Sequence, residues 1–430
     1  MNNTPLEFRS AKLPLFSPSE GKDLPTEWPL VSLGGLCSFA NGVNANKDAY
    51  GKGIPFANVL EIITHSHLHS SEIPGRVLLS KPAQERFTVR RGDILFNRTS
   101  ETQEEVGLAA VYDDSEPIVF GGFVIRGRFN IDALDRTYVG YALRASIVRS
   151  QIISQGQGAI RANIGQLSLK RILIPIPSRV EQRDIAAALS HVDELLRALE
   201  VLIAKKRAIK QATMQQLLTG KTRLPGFHGE WIETNLGAIG ECVIGLTYKP
   251  ENVVDYGLLV LRASNIQNGR LTYDDNVYVN VAVPDRLITQ TGDVLVCVRN
   301  GSRALIGKCA VISDGAAGLT FGAFMSVYRT KHWQFLAHAF QGQDIQCQIR
   351  DNIGATINQI TNKDMKALRI KLPCEDEQIA IADVLSNMDA EITALEVRRD
   401  KTRAIKQGMM QQLLTGRIRL VKPQSAEADA

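Results

Sequence analysis

The chain has 430 residues, 44% of them hydrophobic and 22% charged, a balance that excludes a disordered or membrane-embedded protein and suits two domains of roughly 150 residues with connecting elements. Its net charge of +5 is mild for a nucleic-acid binder, so charge alone assigns no partner. No apolar run reaches the roughly 18 residues of a spanning helix, the start of the chain lacks an apolar signal core, and the six cysteines include no Cys-x-x-Cys pair. A cytoplasmic chain is expected, with no membrane contact, disulfide or metal site.

In chain order, a Pro- and Ser-containing arm (1–26) leads to a first domain (27–180) that opens EWPLVSLGGLCSFANG, and a helix (181–220) follows it. A second domain (221–376), with a short entry linker, opens EWIETNLGAIGECVIG at Glu230 and leads to a closing helix (377–420) and a tail (421–430). Short apolar stretches bounded by Gly, Asn and Asp, such as Gly92 to Phe96 and Leu258 to Leu261, read as strands. Tyr138 to Ser150 and Trp333 to Ile349 read as helices on the domain surface.

The two halves are one module written twice. RAIKQATMQQLLTG from Arg207 returns as RAIKQGMMQQLLTG from Arg403, changed only at Ala212/Gly408 and Thr213/Met409. RFTVRRGDIL from Arg86 meets RLITQTGDVL from Arg286, VGLAAVY from Val106 meets IGKCAVI from Ile306, and VFGGF from Val119 meets TFGAF from Thr320.

Along the first helix Ile185, Leu189, Val192, Leu196, Leu199 and Ile203 alternate by fours and threes, and Ile381, Leu385, Met388, Ile392 and Leu395 repeat the seam. Pro177 and Pro373 precede the helices, and Gly220 and Gly416 are the expected C-cap residues. A helix from Glu181 to Leu218 is roughly 55 Å long, longer than one such domain, so the two seams are expected to bury each other. The fold class is α+β: two similar mixed domains in tandem, each followed by a long helix, with the helices pairing as an antiparallel coiled coil of pseudo-twofold symmetry that acts as a ruler. Each helix folding back on its own domain is the alternative.

No complete active site is legible. Thr219 to Thr222 (TGKT) resembles the end of a phosphate-binding loop, but Gln215 stands where that loop needs glycine. No Gly-x-Gly-x-x-Gly follows a strand, no Asn-Pro-Pro-aromatic string of an adenine methyltransferase is present, and Glu20-Gly21-Lys22 lacks the upstream Pro-Asp of a nuclease. His65, His67 and His69 alternate, but the serines between them and the lack of partner ligands favour a solvent-facing strand or loop.

What remains is polar and basic loop at matching places. Asn97, Arg98, Thr99 and Ser100 follow the GDIL strand; Arg299, Asn300, Ser302 and Arg303 follow GDVL. A second pair follows a glycine in each half, AIRANI (159–164) with Arg161 and Asn163, and ATINQI (355–360) with Asn358 and Gln359. These residue types bond base edges and phosphates, and they are the candidate DNA contacts; solvated turns are the plain alternative for any one of them. The basic runs Lys205, Lys206, Arg207, Lys210 and Arg398, Arg399, Lys401, Arg403, Lys406 are expected to be solvated or to meet a partner.

The W-x-x-x-x-LG domain starts, the GDIL and GDVL segments, the entries Pro177 with Glu181-Gln182 and Pro373 with Glu377-Gln378, and the paired K-Q-x-x-M-Q-Q-L-L-T-G ends resemble the specificity subunit of type I restriction-modification systems, from Glu27 to Leu420. The resemblance implies two target-recognition domains, each reading one half of a bipartite double-stranded DNA site, and no catalytic residues. It further implies two docked methyltransferase subunits using S-adenosylmethionine, and motor and nuclease subunits using ATP and magnesium. By the same resemblance, docking falls on the repeated helix ends, Gln211, Met214, Gln215, Gln216, Leu217 and Leu218, and Gln407, Met410, Gln411, Gln412, Leu413 and Leu414. A free-standing repressor, or an enzyme with an unrecognised site, are the competing readings.

Overall fold

The computed structural model describes residues 24–130, 134–156, 158, 161–353 and 358–420. Most of the expected arm, all of the expected tail and parts of both glycine-linked loops lie outside the described residues. The chain divides into two compact units, Met1–Ala198 with Arg398–Ala430, and Leu199–Val397. Each unit therefore contains one domain and a stretch of both long helices.

In the first unit the strands Cys37–Asn41, Val124–Phe129, Ile94–Asn97, Ala109–Tyr112 and His67–Leu68 form a sheet in that order, antiparallel except for its last pair. A smaller sheet places Tyr50–Ala57 between Arg76–Val77 and Val119–Phe120. Both faces of the larger sheet are covered, which explains why its central strands Ile94–Asn97 and Ala109–Tyr112 are buried at every position and largely apolar. Ile94, Phe96, Ala109 and Val111 join Tyr138, Tyr141 and Ile152 on one side, while Leu95, Ala110 and Val124 join Ala57 and Phe120 on the other.

The second unit repeats the plan. Glu241–Ile244, Met325–Arg329, Val294–Cys297 and Cys309–Val311 form an antiparallel sheet, and Leu258–Leu261 lies between Tyr278–Val279 and, in parallel, Thr320–Phe321. Val294 and Val296 pack with Phe335, Leu336 and Phe340, whereas Leu295 and Cys297 pack with Val260 and Phe321.

Each expected surface helix is in fact two helices, Arg136–Ala142 and Ser146–Gln155 in the first unit, Trp333–Gln341 and Gln343–Asn352 in the second, and both pairs face the core. Gly342 marks the second break. At the first, the buried guanidinium of Arg144 bonds the carbonyls of Ala109 at 2.8 Å, Ile62 at 2.5 Å and His65 at 2.6 Å, tying the corner to strand and loop. Burial, with Arg149 nearby, lowers the pKa of Arg144 to about 10.

The long helices run Arg179–Leu217 and Glu375–Leu413. Each starts directly after a strand that pairs with the first strand of its domain: Leu173–Pro175 with Leu30–Ser32, and Arg369–Leu372 with Ile232–Asn235. The expected seam residues Ile185, Leu189, Leu196, Leu199, Ile203, Ile381, Leu385 and Ile392 are buried. In the second unit Lys206 Nζ meets Glu391 and Lys210 Nζ meets Asp389, each at 2.6 Å. Rising numbers on one helix meet falling numbers on the other, so the pair is antiparallel. In the first unit Ile185 and Leu189 share a core with Leu413 and Leu414 and with the domain itself, so the start of the helix also packs on its own domain.

Gly220 and Gly416 end the helices with φ of 68° and 69°, as their C-cap position requires. A Cβ on Gly416 would lie 2.4 Å from Pro25 Cγ and 3.2 Å from Trp28 Cη2. The turn is thus glycine both for its backbone and for the tryptophan that closes over it.

Candidate nucleic-acid interface

A repeated clasp holds each domain start to a helix start. In the second unit the Glu377 carboxylate, fully buried, accepts from Arg223 Nε at 2.5 Å, Arg223 Nη2 at 2.6 Å and Trp231 Nε1 at 3.3 Å, and the guanidinium lies 5.6 Å from the indole centroid. In the first unit Glu181 accepts from Trp28 Nε1 at 3.1 Å and from Arg419, which also bonds Glu27 and lies 5.5 Å from the Trp28 ring. Gln182 and Gln378 donate to the carbonyls of Pro177 and Pro373 at 2.9 and 2.8 Å. The sequence reading identified the tryptophans and the Glu-Gln pairs but missed Arg223 and Arg419. Their signal was the same 196-residue shift that relates the helices.

On this frame the two candidate loops of each domain come together. In the first unit Thr99–Ser100 pairs with Ala162–Asn163, and Thr99 Oγ1 donates to Asn163 Oδ1 at 2.6 Å. In the second, Arg299 bridges to Gln359, the Asn300 amide reaches the Asn358 carbonyl at 3.3 Å, and Asn358 Nδ2 donates to the Gly301 carbonyl at 3.0 Å. Arg98, Arg161, Asn163, Arg299, Ser302 and Arg303 are exposed. Arg161 has Glu101 at 3.8 Å, and Arg303 Nη2 donates to the Ile353 carbonyl at 3.4 Å. Residues Ala159, Ile160 and 355–357 of the same loops lie outside the described residues.

Two expected contacts are corrected. Asn97 is wholly buried, on the sheet face that carries Cys297 in the second unit, and its Nδ2 donates to the Glu105 carbonyl at 3.0 Å. Ser100 is buried as well and donates to Glu105 Oε2 at 2.8 Å. Both brace the 97–105 turn from inside. The period of two, carried one residue past Phe96, turns Asn97 inward.

One feature of this surface went unnoticed in the sequence. Phe123 and Phe324 are each more than half exposed, and their carbonyls accept from the Arg98 and Arg299 amides at 2.8 and 3.1 Å. The Arg299 guanidinium lies 5.0 Å from the Phe324 centroid. The final Phe of VFGGF and TFGAF was the available signal; it stood out only as part of a repeat.

The helix ends divide by burial. Met214, Leu217, Leu413 and Leu414 are buried in the cores of their units, so these four serve the chain's own packing, and Leu218 and Met410 are half-buried. Gln211, Gln215, Gln216, Gln407 and Gln411 are exposed, and Gln412 is half-exposed. Exposed apolar residues that repeat at the same shift, Val201 and Ile209 with Val397 and Ile405, were not singled out in the sequence. Much of the basic run is spent on ion pairs: besides Lys206 and Lys210, Arg207 meets Glu396 at 2.5 Å, and Lys406 meets Asp193 at 2.6 Å. His67 is also taken up in packing, with Nε2 2.9 Å from the Thr137 carbonyl and its ring edge-on to Tyr141.

Among the described residues no helix is long and apolar enough to cross a membrane. The chain is 23% identical over 435 residues, 94% of its own length and 97% of the relative's, to the specificity subunit named for the MjaX type I restriction enzyme of Methanocaldococcus jannaschii. It is 27% identical over 201 residues, 44% of its length and 42% of the relative's, to the EcoKI specificity subunit of Escherichia coli. A crystal structure of the type I restriction-modification S subunit from M. genitalium shares the fold, with a TM-score of 0.56 at 17% identity over 91% of this chain and 98% of that one. The family described as type I restriction modification DNA specificity domain matches residues 25–210 and again 229–402, and the chain belongs to that family.

Proposed function

We propose that this chain is the sequence-reading subunit of a type I restriction-modification complex, that each domain contacts one half of a bipartite duplex site, and that catalysis belongs to its partners. One observation carries the reading: the same surface, an exposed phenylalanine beside two joined polar loops, is built twice with different side chains, Thr99 and Asn163 in one and Arg299, Asn358 and Gln359 in the other. A duplicated scaffold with unlike contacts suits an asymmetric DNA target.

The long helices set the gap between half-sites. Two methyltransferase subunits, which bind S-adenosylmethionine, dock on the exposed glutamines of the helix ends and on Val201, Ile209, Val397 and Ile405. Repeated surfaces of this kind suit repeated partners. Motor and nuclease subunits consuming ATP and magnesium complete the complex, in the cytoplasm. The test is methylation mapping in cells expressing a cognate methyltransferase with or without this chain. Bipartite adenine methylation that requires the chain is expected; methylation independent of it, or methyl transfer or cleavage by the purified chain alone, overturns the reading.

A further inference from the structure

Each domain carries a hollow beside its exposed phenylalanine, and the two hollows are equivalent. Val43 and Gly121 border the first, Leu246 and Gly322 the second, and each pair forms the same isolated parallel bridge. Asn58 in one and Arg262 in the other directly follow the residue, Ala57 or Leu261, that pairs in parallel with Phe120 or Phe321. The volumes, about 360 and 540 Å³, are those of small-ligand sites.

The linings differ in chemistry. The first hollow presents the amides Asn44 and Asn58 beside Tyr50 and Phe123; Arg76 also lines it, but its Nη1 is spent on the Ile73 and Gly75 carbonyls at 2.8 and 3.0 Å. Asn44 is seated where a Cβ on Gly122 would lie 1.9 Å from its Oδ1, so the glycine makes room for the amide. The second presents Arg262, Asp275 and Arg299 beside Phe324, together with Asn300, whose Oδ1 already accepts from the Ser302 amide at 2.9 Å. Asp275 Oδ2 holds Arg262 Nη2 at 2.8 Å. Arg262 Nε is buried without a hydrogen-bond partner, and Nη1 makes no hydrogen bond among the described residues. A guanidinium oriented by a carboxylate, with its Nε shielded and its terminal Nη1 left unused, is the arrangement of a site awaiting an acceptor at Nη1.

We propose that these hollows are the base-reading sites. The phenylalanine is the shared apolar contact; Asn44 and Asn58 select an A·T pair in the half-site of domain 27–180, and Arg262 with Asp275 selects a G·C pair in the half-site of domain 221–376. The chemistry is that of base edges: an amide pairs with adenine N6 and N7, a guanidinium with guanine O6 and N7, and a carboxylate accepts from cytosine N4. This inference rests on the reading that each domain contacts one half-site.

The experiment is methylation mapping with the cognate methyltransferase and four chains: wild type, Arg262→Gln, Asp275→Asn and Asn44→Ala. Arg262→Gln and Asp275→Asn should each relax discrimination roughly tenfold to a hundredfold at one G·C pair of one half-site, with the other half intact as an internal control of folding. Asn44→Ala should relax an A·T pair in the other half. Unchanged site choice by all three variants, or equal loss in both halves, overturns the base-reading assignment while leaving the subunit's role standing. Absence of bipartite methylation with the wild-type chain overturns the role itself, and the assignment with it.

Discussion

The Arg223 guanidinium forks onto the buried Glu377 carboxylate, Nε to Oε1 at 2.5 Å and Nη2 to Oε2 at 2.6 Å, and Trp231 adds a third donor to the same group. Arg223 follows the end of one long helix and Glu377 opens the other, so a single carboxylate ties a domain start, a helix end and a helix start within one unit. A buried carboxylate with three matched donors is stable only while the set is complete. Glu377→Ala should therefore cost on the order of 3 kcal/mol and lower the midpoint of the second unit's thermal unfolding by roughly 5–10 °C. Glu181→Ala should act likewise on the first unit. Calorimetry of both variants checks this; unchanged melting would remove the clasps as sources of stability.

His338 gives the second unit an acid-sensitive point. Burial, reinforced by the Lys210 charge and opposed by that of Asp389, lowers its pKa to about 4; its Nε2 lies 3.1 Å from Ser386 Oγ and its buried Nδ1 3.9 Å from Asp389 Oδ2. The folded state holds this ring neutral where the unfolded state protonates it, near pH 6.5. The stabilisation is thus complete above about pH 6.5 and is lost as pH falls toward 4. Tyr141 fills the corresponding place in the first unit and donates to Asp193 at 2.8 Å. Replacing the histidine by that residue, His338→Tyr, or by glutamine should flatten the dependence of stability on pH between about 6.5 and 4, as measured by urea unfolding at several pH values. A wild-type slope in both variants would assign the acid sensitivity elsewhere.

The repeat and the heptad seams made the doubled α+β plan and the long helix pair legible, because both are linear patterns. The clasps were half legible: the tryptophans and Glu-Gln pairs repeat conspicuously, but Arg419 meets Glu181 only when the end of the chain packs against its first domain. Side-chain direction was harder. Asn97 looked like a loop residue because it is polar, yet the sheet is covered on both faces and its pleat points the amide inward. The hollows were illegible, since Asn44, Asn58 and Phe123 are far apart in the chain and meet only through parallel pairing across the smaller sheet.

The distinction between Asn97 and its exposed neighbours is itself testable. Asn97→Ala removes a buried bond to the Glu105 carbonyl and should cost about 1 kcal/mol of stability without changing which site is methylated. Arg299→Ala, on an exposed side chain over Phe324, should leave melting within about 0.5 kcal/mol of wild type and weaken discrimination in one half-site. Parallel thermal unfolding and methylation mapping separate the two. A change of half-site with Asn97→Ala, or none with Arg299→Ala, reverses the assignment.

The ruler role assigned to the helices makes the most direct prediction. Their seams repeat with heptad spacing, and Lys206 and Lys210 meet Glu391 and Asp389 in antiparallel order. Seven residues inserted at corresponding places in both helices preserve the seam and add roughly 10 Å. At about 3.4 Å per base pair, the preferred gap should lengthen by about three base pairs while both half-sites keep their sequences. Inserting seven residues into one helix alone leaves it without a matching partner segment and should destabilise the chain instead. Methylation mapping with the doubly extended chain reads the gap directly. A folded, methylating complex with an unchanged gap would mean that the helices hold the domains without measuring the distance between their targets.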